Sequence, residues 1–227
     1  FFILKNKTQI TNEHSQRVSH LLRYKSQGIL TSYKTINNDN PKLNCRLNGL
    51  EKFSPKILII DKDLKTKKNC YILSNLNKSK TYIFHNSTNK NKIKIFKKKG
   101  LKLINQNIEN SGYFSLQVLL DNIYKLGIHK LLVECGKKLT QNFLSEKIFN
   151  EFYFFKSDKK IKNKDKVDIS NIKQYLNKNF KNKKYVNTYL NKDILTHYYY
   201  EHIHIKTYSV LNQKQCLRVR DLQKHHP

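Results

Sequence analysis

The chain has 227 residues, of which 45 are Lys or Arg and 16 Asp or Glu, a formal net charge of +29, with 38% hydrophobic residues and no Met or Trp. That length suits one large domain or two small ones with a real core; no run of about 18 apolar residues predicts a membrane-crossing helix, and four widely spaced cysteines without a C-x-x-C pair argue against a structural zinc site or a disulfide framework and fit a reducing cytoplasm. Only five of the positive charges are Arg (Arg17, Arg23, Arg46, Arg218 and Arg220), and the abundance of Lys, Asn, Ile, Tyr and Phe is what AT-rich coding yields whatever the function. Because the lysines are spread among Asn along the whole chain, the charge alone does not single out a nucleic-acid partner.

The opening FFIL is too short and lacks the flanks of a secretory signal. Without an initiator Met, the chain reads as a piece of a longer or processed protein. From Thr11, TNEHSQRVSHLLRYKSQG predicts a helix capped by Thr11, with Glu13 in its first turn, Val18, Leu21, Leu22 and Lys25 on one face, and Gly28 as a left-handed stop. GILTSY then reads as a buried strand and the N-N-D-N-P run as a loop, since Asn40 before Pro41 is pushed out of the helical region. PKILIID, residues 55–61, predicts a strand buried on both faces, and TYIF at 81–84 and IKIF at 93–96 predict weaker ones.

Ser115 is placed to cap a helix with Leu116, Leu119, Leu120, Ile123 and Leu126 on its apolar side and Gly127 as its stop. KLLVECG follows as a strand, then a short helix around Leu139 to Lys147, then the strand EFYFFKS. Residues 156–184 are Lys- and Asn-rich with little periodicity, and KYVNTYL and DILTHYYY predict closing antiparallel strands. From about His202 the composition changes; HIHIK lacks an acidic or Cys partner for a metal, and the segment 201–227 reads as a tail or an extension of unknown structure after a domain at 1–200. The alternation of helix and strand predicts an α/β class with a mainly parallel central sheet flanked by helices.

Ligands in such sheets bind beyond the carboxyl ends of the strands. The loop after GILTSY, Asp61, and Glu134-Cys135-Gly136 all stand at such ends, where one cleft can collect them. Arg23 and Arg46 can converge on one anion with the bidentate grip Lys lacks; equally, Arg23 can complement the helix C-terminus while Arg46 is a surface charge. Thr35 and Asp39 are polar groups of the loop kind, which asparagine-rich turns explain without a ligand. Glu134 ends an apolar strand, where its carboxylate needs a donor, and the turn at Gly136 suits a pyrophosphate. The chain has no G-x-G-x-x-G fingerprint.

Taken together, ITNEHSQRVSHLLRYKSQGILTSYKTINNDNPKLNCR, PKILIID and KLGIHKLLVECGKKLTQNFL resemble the reductase domain of bacterial bifunctional riboflavin-biosynthesis deaminase/reductases. The family pattern is W-I-T, R-x-x-S-D-A-I-L-x-G-x-x-T, A-D-D/N-P-x-L-x-x-R and V-E-G-G, and the resemblance runs from about residue 8 to 155. It implies a dihydrofolate-reductase-like fold and NADPH-dependent reduction of 5-amino-6-(5-phosphoribosylamino)uracil to its ribitylamino product in riboflavin biosynthesis. By resemblance, Arg23, Leu43, Arg46 and Glu134 match substrate-binding positions. Thr35, Asp39, Gly136, Lys137, Lys138, Leu139 and Thr140 match positions that bind the cofactor. A cytoplasmic homodimer is implied, along with fusion to a deaminase domain in the parent protein, whose H-x-E and P-C-x-x-C zinc signature is missing from these residues. This chain departs from the pattern at Gln9, Lys62 and Cys135, and no counterpart of the family's first strand precedes the helix. The rival readings are a basic nucleic-acid-binding protein and a reductase-like scaffold without catalysis.

Overall fold

In the computed structural model, the residues described are 11–75, 80–157, 170–180, 182–186, 190, 192–199, 207–212 and 215–220. They fall in two compact units, His20–Ile128 and a second made of the residues up to Ser19 with those from His129.

In the His20–Ile128 unit, β1 (Gly28–Ser32), β2 (Lys56–Ile60), β3 (Thr81–His85) and β4 (Lys102–Asn105) hydrogen-bond in the order β4-β3-β2-β1. All pairings are parallel, with Leu30 opposite Leu58, Leu58 opposite Tyr82 and Ile83 opposite Leu103. Parallel strands need covered faces, so their sequences are continuous apolar runs; Ile29, Leu30, Leu58, Ile59, Ile83 and Phe84 have no more than a trace of exposure. The expected α/β class with a mainly parallel sheet is therefore observed. Helix α5 (Leu116–Lys125) is as predicted: the Ser115 side chain accepts from Val118 N–H, Leu116, Leu119, Leu120 and Ile123 are buried, and Gly127 sits at φ +72°.

Five expectations about the elements up to β4 are corrected. Helix α1 spans Glu13–Tyr24, and Asn12, not Thr11, caps it, accepting from Ser15 N–H at 2.9 Å. Its buried positions are Ser15, Ser19, His20 and Arg23, while Leu21 is 37% exposed, so the buried stripe is polar and the predicted face is not the inner one. Gly28 does not stop the helix; it opens β1, where an added Cβ would lie 3.0 Å from both Ile128 Cγ2 and Leu58 Cδ1. The asparagine run is largely helical, as α2 (Tyr33–Asp39): Ser32 Oγ accepts from Thr35 N–H, and Asn40 ends the helix in the left-handed region at φ 44°. After the short helix α3 (Tyr71–Ser74), IKIF lies in a further helix, α4 (Lys90–Lys98), because Asn89 accepts from Lys92 N–H and only Phe96 of the run is buried, a one-sided pattern that a strand buried on both faces does not produce. The strand that follows it, β4, carries no apolar run long enough to announce it.

In the other unit, β5 (Leu131–Val133) is wholly buried and α6 (Lys137–Ser145) follows it. β6 (Glu151–Lys156), β7 (Lys183–Tyr185), β8 (Ile194–Tyr199), β9 (Thr207–Asn212) and β10 (Gln215–Arg220) form a sheet in the order β7-β8-β6-β10-β9. Its pairings are antiparallel, so the predicted closing strands are present, and two strands lie within 201–227. The Lys/Asn-rich stretch contains α7 (Ser170–Asn179), anchored by buried Ile172 and Leu176 and missed because only those two apolar contacts mark its inner face. Asp193 accepts from Asn12 N–H at 2.9 Å and Ser15 Oγ at 2.7 Å, holding the start of α1. Gln9, the FFILKNK opening and HIHIK lie outside the described residues.

Candidate functional site

The expected site residues belong to different units. Arg23, Thr35, Asp39, Leu43 and Arg46 lie in one, and Glu134 with Gly136, Lys137, Lys138, Leu139 and Thr140 in the other.

The first group is organised by the segment Leu43–Arg46. Leu43 is buried at 2% exposure and has φ 51°, a left-handed conformation that costs a non-glycine residue about 1–2 kcal/mol. A backbone in that state needs ties, and side chains supply them. Arg23 Nη1 donates to the Asn44 carbonyl oxygen at 3.1 Å. The Cys45 N–H donates to Ser54 Oγ at 3.1 Å, and the Arg46 N–H to His20 Nδ1 at 3.2 Å. Arg46 Nη1 donates to Asn44 Oδ1 at 3.1 Å. Both arginines therefore end on one residue, Asn44, through its carbonyl oxygen and its amide oxygen. Arg23 is 2% exposed whereas Arg46 is exposed, so one cation is buried and the other faces solvent.

Sequence reasoning missed His20, Asn44 and Ser54. Asn44 is the residue before Cys45-Arg46, but its role depends on the curvature at Leu43, which no local pattern reveals. Thr35 is 6% exposed in the first turn of α2, its N–H given to Ser32 Oγ. Asp39 is the last residue of α2, and the neighbouring asparagines hold the chain around it: Asn37 Oδ1 accepts from Lys67 N–H at 2.8 Å and Asn40 Oδ1 from Tyr71 N–H at 2.6 Å.

Asp61, which the sequence sets at a strand end as a possible ligand-facing group, has no exposed surface. Its carboxylate accepts from the N–H groups of Lys65 and Thr66 and from the Thr66 hydroxyl, each at 2.7 Å. Its oxygens stabilise the loop after β2 instead of facing a ligand. Lys62, a departure from the family pattern, donates to the Gly112 carbonyl oxygen at 3.2 Å.

In the other group, Glu134 is 2% exposed just past β5. Gly136 is the N-cap of α6, with no side chain accepting from the first turn and nothing within 4 Å of where its Cβ would be. First-turn N–H groups of such a helix attract anions, and Lys137 and Lys138 bring positive charge to the same turn. Thr140 is fully buried and its hydroxyl donates back to the Gly136 carbonyl oxygen at 3.2 Å, with Cys135 Sγ 3.4 Å away, so it shapes the turn. Burial pushes the Cys135 thiol up to about 12, which keeps it protonated and unreactive. Among the described residues there is no group of three or more His, Cys, Asp or Glu able to hold a metal ion, and no helix long and apolar enough to cross a membrane.

The sequence pattern of the RibD C-terminal domain matches residues 4–157. This chain belongs to the RibD C-terminal domain family. The riboflavin biosynthesis protein RibD of Aquifex aeolicus is 28% identical over 146 residues, which are 64% of this chain and 39% of that protein. The chain thus spans about two fifths of that curated relative. Among solved structures, a Thermotoga maritima diaminohydroxyphosphoribosylaminopyrimidine deaminase/5-amino-6-(5-phosphoribosylamino)uracil reductase superposes with a TM-score of 0.60 at 20% identity, covering 85% of this chain and 50% of that one. A riboflavin biosynthesis reductase of Saccharomyces cerevisiae does so with a TM-score of 0.60 at 17% identity, covering 83% and 81%. The fold is the α/β architecture of these reductases, the dihydrofolate-reductase-like fold expected from the RibD family resemblance.

Proposed function

We propose that this domain reduces 5-amino-6-(5-phosphoribosylamino)uracil with NADPH, in the cytoplasm, as the reductase part of a RibD-type protein. The observation that carries this reading, beside family membership, is the attachment of Arg23 and Arg46 to the two oxygens of Asn44. Two guanidinium groups tied to one residue bring the charge and the N–H donors that a doubly charged phosphate monoester takes. The buried Glu134 carboxylate offers an acceptor for hydroxyl or amide donors of the ribose and pyrimidine.

The cofactor's fit rests on the start of α6. Its N-cap is a glycine with open space where a Cβ would stand and no competing side-chain acceptor, and two lysines follow it. Those groups suit a pyrophosphate, and Thr140, bonded back to Gly136, keeps the turn in shape. When bound, NADPH supplies the hydride that reduces C1 of the ribose and opens it to the ribityl chain. In the His20–Ile128 unit, Arg23, Leu43 and Arg46 suit the phosphate end of the substrate and Thr35 and Asp39 the cofactor; in the other unit, Glu134 suits the pyrimidine and residues 136–140 the dinucleotide. A homodimer and a deaminase domain elsewhere in the parent protein complete the proposal, the latter supported by the greater length of the RibD relatives.

The test is NADPH oxidation by the purified chain with the aminouracil substrate generated in place. Substrate-dependent oxidation that falls about ten- to a hundredfold in Arg46→Lys and in Glu134→Gln is expected. A folded chain that binds NADPH without turnover would sink this reading in favour of a scaffold. Tight, strongly salt-dependent binding of nucleic acid without turnover would point to the basic-protein alternative.

A further inference from the structure

His20 is only 5% exposed, and its Nδ1 is 3.2 Å from the Arg46 backbone nitrogen and 3.1 Å from the Asn44 carbonyl oxygen. The Asn44 carbonyl oxygen already accepts from Arg23, so the tautomer with its proton on Nε2, whose Nδ1 lone pair accepts the Arg46 N–H, is the one that satisfies both backbone groups. Three backbone groups in two successive peptide units of this strained segment are thus satisfied by side chains: the Asn44 carbonyl by Arg23, the Cys45 N–H by Ser54 and the Arg46 N–H by His20. Arg46 itself is exposed, so packing does little to aim it; its backbone anchor and Asn44 Oδ1 do that.

We propose that His20 is a positioning residue of the substrate site: its Nδ1 lone pair fixes the backbone of Arg46, and with Asn44 it presents the Arg46 guanidinium to the substrate's phosphate. This rests on the reductase reading given above. Removing His20 leaves every phosphate-binding charge in place. It releases a segment that Leu43, at φ 51°, already biases toward relaxation. The effect should fall on substrate affinity far more than on the cofactor.

The experiment compares His20→Ala and His20→Asn with the wild-type chain, because an Asn side chain can place its amide oxygen near the position of Nδ1. In His20→Ala, KM for the aminouracil should rise about tenfold or more, from the loss of one buried hydrogen bond. KM for NADPH and kcat should change little, and His20→Asn should regain most of the loss. Hydrogen exchange at the Arg46 amide, measurable whether or not the protein turns over, should be fast in His20→Ala and slow in wild type and His20→Asn. Unchanged exchange in His20→Ala overturns the proposal. So does a His20→Ala KM equal to wild type, or an equal loss in both variants with native-like thermal midpoints. A wild-type chain without turnover but with the exchange pattern intact would instead count against the reductase reading and leave the anchoring of Arg46 standing.

Discussion

Asp61 Oδ2 accepts both the backbone N–H and the hydroxyl of Thr66, each at 2.7 Å, in a place with no exposure for Asp61 and 3% for Thr66. Thr66→Val removes the hydroxyl donor and keeps the shape, and should cost about 1–2 kcal/mol. Asp61→Ala strands the Lys65 and Thr66 N–H groups as well and should cost about 3 kcal/mol or more. Urea denaturation of both variants checks the order; equal losses would mean that the hydroxyl carries the whole interaction.

Gly28 is fixed by space. With an added Cβ 3.0 Å from Ile128 Cγ2 and Leu58 Cδ1, Gly28→Ala should destabilise by about 1–3 kcal/mol through overpacking. Gly28→Ala combined with Leu58→Val, which removes the Leu58 Cδ1 contact, should recover part of the loss. A thermal melt that shows no recovery would mean that Ile128 Cγ2 sets the limit.

Cys135 gives an alkaline signature. Desolvation, the larger cause, and the nearby Glu134 charge both oppose its thiolate and push its pKa from 9.0 up to about 12, while the Thr140 hydrogen bond works the other way. A raised pKa means that the folded thiol contributes fully below the unfolded value, and that this contribution fades as pH climbs from about 9 toward 12. Cys135→Ala should therefore flatten part of the loss of stability over that window, after allowance for its smaller volume. Tyr198, whose hydroxyl is also raised by burial, adds to the same alkaline loss. In native protein at neutral pH, iodoacetamide should leave Cys135 unmodified, and site-resolved mass spectrometry after denaturation should find it alkylated.

Lys137 and Lys138 lie in the first turn of α6. The double change to Ala should weaken NADPH binding about three- to tenfold and lower its salt dependence, with the aminouracil KM little altered. Fluorescence titration with NADPH at two salt concentrations reads both effects. Unchanged affinity would remove these side chains from the cofactor site and leave the backbone N–H groups as the anion contact.

Much of this architecture was legible along the chain wherever one residue pattern sufficed. KILII and TYIFH announce buried strands because both faces of a parallel strand are covered, and the Ser115 cap, the four buried apolar positions after it and the Gly127 stop define α5 without reference to any neighbour. The arginine, glutamate and glycine positions of the candidate site are proposed from family motifs. What only the tertiary structure decided are the features made by partners distant in sequence. Helix α1 buries Ser15 because Asp193 accepts from it, Arg23 because the Asn44 carbonyl does and His20 because the Arg46 N–H reaches it, and hydropathy alone assigns those residues to water. Asp61 stabilises a loop because Thr66 returns to it, and Gly28 is a glycine because Ile128 comes within reach. Apolar burial repeats with the period of the element and so is written locally; a buried polar group is admitted only by the hydrogen bond it finds, and that partner is brought by the fold.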